Sequence, residues 1–244
     1  MQKLFLVLTV ISIFVQFSYT QIIPTSRQGS WTKAGYDSTQ RAIPRSFNKS
    51  INVLLHGLKN DGSTDNSSAL STLISSTIQS GSSTVLYFPQ GIYIFRSNIV
   101  INNSFYGIVL RGAGSENTTF HFICSSSSAF GSFIAISYSH NVGIENLTIE
   151  RENTPSDLAN ADNINFLNCN GCWAYGIDSK KCVHFHVNIS GSHNIVIKGC
   201  SQYDAELTGE GGQGYGVNIA GGSFHLVPKL RLGTEGIEAL LQNA

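Results

Sequence analysis

The chain has 244 residues, with 15 Lys or Arg and 15 Asp or Glu, so its formal net charge is zero. A neutral chain offers no bulk field to nucleic acid or to an anionic membrane, and binding to nucleic acid is therefore disfavoured. Charged residues make up 12% of the sequence, which is about half of the usual ~25%. Together with 24 Gly, this composition favours many short strands with Gly, Asn and Ser turns over helices.

The N-terminus has the layout of a secretory signal peptide, assigned to residues 1–20. Lys3 precedes an almost wholly apolar run over residues 4–17, and small polar residues follow. The run is shorter than the ~20 residues that cross a bilayer. We expect cleavage near Thr20 and a secreted, extracellular protein with no membrane attachment afterwards, with an uncleaved anchor as the alternative.

Secretion makes glycosylation and disulfides permissible. Six Asn-x-Ser/Thr sequons are present, at Asn48, Asn66, Asn102, Asn117, Asn146 and Asn188. The five Cys are odd in number and few for a disulfide scaffold. Cys169 and Cys172 form a C-x-x-C with His184 and His186 downstream, which leaves zinc open, although a second C-x-x-C is missing.

Residues 21–50 are polar without a clear period and are interpreted as an irregular N-terminal arm. From Ser67 to Ile78 apolar residues recur at helical spacing, which predicts one amphipathic helix. Val85 to Phe95 then shows β-branched and aromatic runs broken by Pro-Gln-Gly, which predicts a strand, a turn and a second strand.

The second half of the chain repeats itself. Phe133–Ile144 matches His186–Ile197 at an offset of 53 residues, and a partial third copy lies at Asn163–Asn168. The unit is a strand, a Ser/Asn turn and another strand, recurring about every 22 to 31 residues. Periods of this length indicate a solenoid, and the lack of helical spacing favours a β-solenoid.

Stacked coils place equivalent residues ~4.8 Å apart. We therefore predict an amide ladder of Asn141, Asn163 and Asn194. We also predict that Ile144, Phe166 and Ile197 point inward in successive coils. Cys169 and Cys200 would then occupy the inward slot of Leu147, as small buried hydrophobes or, alternatively, as a disulfide.

Several segments resemble the pectate-lyase-like superfamily, which includes rhamnogalacturonase, epimerase and tailspike relatives. They are His56–Asn66 (HGLKNDGSTDN), Leu86–Tyr93 (LYFPQGIY), Leu110–Gly114 (LRGAG) and the Gly-rich Cys200–Val217. The resemblance implies an all-β, right-handed parallel β-helix over residues 51–225 with an N-terminal capping helix. Residues 226–244 form a C-terminal tail, and the coil is expected to be short or truncated there.

The family pattern is incomplete in this chain. Leu55-His56 stands where Asp-Phe usually opens the cap, and polygalacturonase-type signatures are absent. Tyr175-Gly176-Ile177-Asp178 is similar to the start of the mannuronan epimerase motif, but Ser179-Lys180 follows in place of Pro-His.

Candidate chemistry rests on acidic residues about one coil apart. Asp178 and Asp204 are separated by 26 residues, as are His184 and Glu210, and two stacked carboxylates would suit a retaining hydrolase or shared Ca²⁺ ligation. The candidate catalytic residues are Asp178, Asp204, Glu206 and His184. The candidate substrate-binding residues are Trp173, Tyr175, Tyr203, Lys180 and Glu210. The alternative is that these are solvated loop charges and packing aromatics.

The resulting functional hypothesis is a secreted polysaccharide lyase or glycoside hydrolase acting on acidic or neutral matrix glycans. No cofactor is assigned, with Ca²⁺ left open as a ligand of the carboxylates. The alternative is a non-catalytic glycan-binding or surface structural β-helix, which the missing catalytic signatures favour.

Overall fold

The computed structural model describes residues 43–123, 131–152, 161–182, 184–203 and 215–221. The predictions for the signal peptide, most of the arm and the tail lie outside these ranges, as do Asp204, Glu206 and Glu210. Within the described residues, no helix is both long enough and apolar enough to cross a membrane.

One α-helix, α1 (Ser67–Gln79), and fifteen strands make up the regular structure of the described residues, with a short 3-10 turn at Val53–His56. The strands are β1 (Lys49–Asn52), β2 (Asp61–Asp65), β3 (Thr84–Phe88), β4 (Gly91–Phe95), β5 (Ile99–Asn102), β6 (Ile108–Gly112), β7 (Thr118–Phe122), β8 (Ser132–Ser137), β9 (Gly143–Arg151), β10 (Asp162–Leu167), β11 (Trp173–Lys180), β12 (Phe185–Ser190), β13 (Val196–Lys198), β14 (Ser201–Tyr203) and β15 (Tyr215–Ala220).

The strands stack in three parallel columns, called here the first, second and third faces. The first face contains β1, β3, β6, the first halves of β9 and β11, and β13. The second contains β2, β4, β7, the second halves of β9 and β11, and β14. The third contains β5, β8, β10, β12 and β15. The predicted parallel β-helix is therefore confirmed, and α1 packs against β5 as its N-terminal cap.

The helix α1 forms where the sequence predicted it. Leu70, Leu73 and Ile74 are buried on one side, as their helical spacing requires. At its start, Asp65 Oδ1 accepts hydrogen bonds from the Ser67 amide at 3.0 Å and from the Ser67 hydroxyl at 2.6 Å. The carboxylate thus pairs an amide that the helix leaves without an internal partner.

The interior is filled by alternate residues of all three faces. Ile144, Phe166 and Ile197 are all buried, as predicted. Their register differs from the prediction, because Ile144 and Ile197 flank Ala174 on the first face whereas Phe166 lies on the third face between Ile136 and Ile189.

The predicted amide ladder was wrong in one member. Asn163 lies inside β10, where its Nδ2 donates to Ser179 Oγ at 2.8 Å, away from the turns that carry Asn141 and Asn194. In the turns, Asn194 Nδ2 donates to Asn170 Oδ1 at 2.9 Å. On the third face, Asn218 Nδ2 donates to Asn188 Oδ1 at 2.9 Å, and Asn165 is in register with both. The prediction spaced the three copies at 22 and then 31 residues, whereas the register is 30 residues from β8 to β10 and 23 from β10 to β12, so the middle copy was aligned several residues too early.

The cysteines behave as buried hydrophobes. Cys169, Cys172 and Cys200 are buried free thiols, so the disulfide alternative for Cys169 and Cys200 is not realised, and Cys182 is buried as well. Cys200 follows the slot of Leu147 and Ile177, as predicted. Cys169 does not share that slot, because it lies in the turn after β10, where its thiol donates to Ile136 O at 3.3 Å.

Candidate functional site

A row of polar side chains covers the outside of the second face. Strand alternation turns Phe120, Leu147, Ile149 and Ile177 into the core. The intervening positions point outward, and the functional side chains among them are His121, Glu150, Asp178, Lys180 and Tyr203. Consecutive strands of β7, β9, β11 and β14 thus present titratable groups to one outer surface, which is called here the second-face surface.

His121 and Glu150 form the closest contact of this surface. His121 Nδ1 lies 3.0 Å from Glu150 Oε1, and the side chains are 23% and 28% exposed. Glu150 is followed in the same column by Lys180, which is paired with Tyr203 in the next coil. A partly exposed imidazole and carboxylate in contact can exchange a proton with a bound molecule, which is the requirement for general acid–base catalysis.

Asp178 stands in the neighbouring outward column, between Thr148 and Ser201. The residue that stacks on Asp178 is therefore Ser201, 23 positions on, and not a residue 26 positions on. Asp204 itself lies outside the described residues, as do Glu206 and Glu210. The sequence-predicted residues Asp178, Lys180 and Tyr203 share the second-face surface.

His184 lies at the corner between the second and third faces, and its partner is Asp162. His184 Nδ1 is 3.0 Å from Asp162 Oδ1, and Asn188 Nδ2 donates to Asp162 Oδ2 at 2.9 Å. Asn218 Nδ2 in turn donates to Asn188 Oδ1 at 2.9 Å. The Asp162 side chain is only 3% exposed, whereas that of His184 is 28% exposed.

This corner pair has the geometry of an oriented base. Burial raises the pKa of Asp162, while hydrogen bonds from Asn188 and His184 oppose the shift. An ionised Asp162 accepts a hydrogen bond from the Nδ1–H of His184, which leaves the Nε2 lone pair of the neutral ring directed away from the carboxylate. A base of this kind could withdraw a proton from a bound molecule.

The outside of the first face is different, because the segment 43–47 lies across it. Trp173 is fully buried there against Ile43, Val85 and Val109, so the side chain predicted to stack on a sugar is covered by the chain itself. Tyr175 is half-buried beneath the guanidinium of Arg45, which lies 4.7 Å from its ring centroid.

A buried carboxylate anchors this cover. Glu145 is 0% exposed and pairs with Arg111 Nε at 2.7 Å, while the indole of Trp173 donates to its other oxygen at 2.7 Å. Arg45 Nη1 approaches the same carboxylate at 3.8 Å. Two cations and one indole donor compensate for its loss of water.

No arrangement of three or more His, Cys, Asp or Glu side chains suited to a metal ion occurs within the described ranges. The C-x-x-C thiols Cys169 and Cys172 are buried at the corner after β10 and lie apart from the second-face surface. The Ca²⁺ hypothesis involved Asp204, which is not described.

Sequence reasoning missed His121, Glu150 and Asp162. His121 and Glu150 stand in strands with clear alternation of buried and outward positions, but they are 29 residues apart. Asp162 was overlooked because it opens a strand and its partner His184 precedes the next one. The alternation of apolar and polar residues within each strand could have shown that His121 and Glu150 point outward. Their contact could not be found in this way, because it depends on the register between coils.

Residues 50–218 match the model of a family described as rhamnogalacturonase A/epimerase, pectate lyase-like. No curated protein matches the chain by sequence.

Two solved structures share the fold. A candidate glycosyl hydrolase from Parabacteroides merdae has a TM-score of 0.51 at 16% identity, over 63% of this chain and 74% of that one. A hyperthermoactive exopolygalacturonase from Thermotoga maritima has a TM-score of 0.54 at 14% identity, over 67% of this chain and 49% of that one. The match to the second structure thus spans about half of its length.

Proposed function

Since the chain belongs to the rhamnogalacturonase A/epimerase, pectate lyase-like family, we propose that it is a secreted enzyme that cleaves an extracellular polysaccharide along the second-face surface. The observation that carries this proposal is the concentration of His121, Glu150, Asp178 and Lys180 on adjacent outward positions of β7, β9 and β11. A fold hosts many functions, so the proposal rests on these side chains.

Glycoside hydrolysis is the reaction that the carboxylates favour. Glu150 and Asp178 lie on neighbouring strands two register positions apart. A strand spacing of ~4.8 Å and a rise of ~3.3 Å per residue separate their Cα atoms by about 8 Å. Because both side chains leave the sheet in the same direction, their separation suits an inverting hydrolase, in which a water molecule fits between base and sugar.

A lyase is the second candidate, because of the corner pair. His184, oriented by Asp162, supplies a base, and Lys180 supplies a cation that could neutralise the carboxylate of a uronic acid. Both reactions leave a new reducing end, but elimination leaves an unsaturated sugar at the new non-reducing end, whereas hydrolysis leaves a saturated one. The substrate class is therefore an acidic or neutral matrix glycan.

The test is a product assay on a panel of pectins, alginates and glucans that records both new reducing ends and unsaturated ends. Asp178→Asn should lower the rate of hydrolysis by about 10²–10⁴-fold, as for loss of a general acid or base. The thermal midpoint should stay nearly unchanged, because Asp178 is an outward side chain.

Asp61→Asn provides the matched control. Asp61 stands at the head of the same register column, through Ile92, Thr119 and Thr148, so it lies four strands from Asp178, or about 19 Å. Its substitution should leave the rate unchanged. If unsaturated ends are released and their release depends on His184, the hydrolase proposal is wrong and the lyase proposal is supported. If the protein is retained on a glycan column but releases no product from any substrate, the proposal of enzymatic activity is refuted and a non-catalytic glycan-binding function is supported.

A further inference from the structure

The asparagine side chains of the six sequons differ in their exposure and in their hydrogen bonds in the folded protein. We propose that N-linked oligosaccharide is carried at Asn48, Asn102 and Asn117. The other three asparagines, Asn66, Asn146 and Asn188, are structural and carry none. This assignment rests on the proposed export of the chain and does not depend on the proposed catalysis.

Asn66 is the clearest structural asparagine. It is 1% exposed. Its Oδ1 accepts from the Lys59 amide at 2.7 Å, and its Nδ2 donates to Lys59 O at 2.9 Å and to Thr64 O at 3.0 Å. A sugar on Nδ2 would replace one of its two hydrogens, which would remove at least one of the bonds to Lys59 O and Thr64 O, and it would require space around a side chain that is almost fully buried.

Asn188 and Asn146 are held between coils. Asn188 Nδ2 donates to the buried Asp162, and its Oδ1 accepts from Asn218. Asn146 is half-buried in a left-handed conformation with φ 54°, and its Oδ1 lies 2.7 Å from the position that a Cβ on Gly176 would occupy. A glycan on Asn188 would compete with its bond to Asp162, and one on Asn146 would crowd the contact of its side chain with Gly176 in the next coil.

The three proposed acceptors are exposed and lie where strands begin or end. Asn48 immediately precedes β1, Asn102 is the last residue of β5, and Asn117 precedes β7. Within the described residues, the side-chain amides of Asn48 and Asn102 make no hydrogen bond. The amide of Asn117 only reaches Ala113 O at 3.5 Å, which is long for such a bond.

The chemistry is a glycosyl transfer from a lipid-diphosphate oligosaccharide. The asparagine Nδ2 forms a bond to C1 of the first sugar, the bond between C1 and the phosphate oxygen breaks, the lipid diphosphate leaves, and Nδ2 loses one proton. The hydroxyl two residues on is supplied by Ser50, Ser104 and Thr119. All three acceptors belong to the first three coils, so β11, which carries Asp178 and Lys180, bears no sugar.

The experiment expresses the full chain with its own N-terminus in a eukaryotic secretory host. The secreted protein is deglycosylated with a peptide N-glycosidase in ¹⁸O-labelled water, and its peptides are examined by mass spectrometry. Heavy-oxygen aspartate is expected at positions 48, 102 and 117 alone. Label at position 66, 146 or 188 in folded secreted protein overturns the assignment, and so does the absence of label from all six.

Two single variants separate a glycan from a structural role. Asn117→Gln should remove one glycan mass step and leave the thermal midpoint of the deglycosylated protein unchanged. Asn66→Gln should remove no glycan and lower the midpoint, because it loses the Lys59 and Thr64 bonds. The reverse pattern refutes the proposal. Glycan mapping does not measure catalysis. A wrong glycan assignment can therefore be told apart from a wrong proposal of enzymatic activity.

Discussion

The outer surfaces of the first and second faces share strands β9 and β11 but differ in how their carboxylates are surrounded. On the first face, Glu145 is fully buried beneath the segment 43–47 and is surrounded by Arg111, Arg45 and Trp173. On the second face, Glu150 keeps 28% of its side chain exposed and touches one histidine. The two residues are five positions apart in β9.

This difference shows that residue type does not decide the role of an outward position on a β-helix. A carboxylate under a covering segment must be compensated by fixed partners and contributes to the fold. A carboxylate on an open face keeps its water and remains available to a ligand. The same reasoning applies to the aromatics, because Trp173 is 0% exposed whereas Tyr203 is 42% exposed.

The largest stability effect is expected from the covered aromatic. Trp173→Ala should lower the free energy of unfolding by about 3–5 kcal/mol, because it empties the cluster with Ile43, Val85 and Val109. Tyr203→Ala on the open face should cost no more than about 0.5 kcal/mol. Chemical denaturation measures the free energy of unfolding of both variants. Similar losses for the two would contradict the distinction between a covered first face and an open second face.

Acid should destabilise the protein through His186, which lies in β12 on the third face. His186 is buried and contacts Ser179 Oγ at 2.8 Å. Burial lowers the pKa of His186 to about 4, from 6.5 for the free side chain. Between these two pKa values His186 is protonated in the unfolded chain but not in the folded protein. The free energy of unfolding should therefore fall by about 3 kcal/mol as the pH drops from 6.5 to 4.

Denaturation curves at pH 7 and pH 4.5 measure this loss. His186→Gln should make the pH dependence shallower, and His140→Gln, at an exposed turn, provides the comparison. Equal pH dependence in the wild type and in His186→Gln would contradict the assignment to His186.

The smallest effects come from the two glutamates of β9. Glu145→Gln should cost about 1–3 kcal/mol, because Arg111 loses a charged partner beneath the covering segment. Glu150→Gln should change stability by no more than about 0.5 kcal/mol and should instead lower activity. A stability loss at Glu150 as large as at Glu145 would remove the distinction between the surfaces.

Most of the fold could be predicted because its signals are local. The spacing of Leu70, Leu73 and Ile74 predicted α1, and the runs around Pro89 predicted β3 and β4. The site could be predicted only in part, because its contacts depend on the number of residues in each coil. That number is 23 between Asp178 and Ser201 but 30 between Thr148 and Asp178, so no single period brings the right partners together. The cover over Trp173 depends on a distant segment without a period of its own.

The corner after the third face repeats one backbone conformation in each of the five coils for which a third-face strand is described. Asn103, Tyr138, Asn168, Gly191 and Gly221 all have φ between 49° and 65°. Because each coil closes through its own left-handed residue, a coil is a modular unit of the chain. Deleting residues 143–172 would join Val142 to Trp173, which is the register partner of Gly143, and every column would continue across the junction. Such a protein can gain or lose length by whole coils, which offers a simple route by which relatives of very different sizes could diverge from one another.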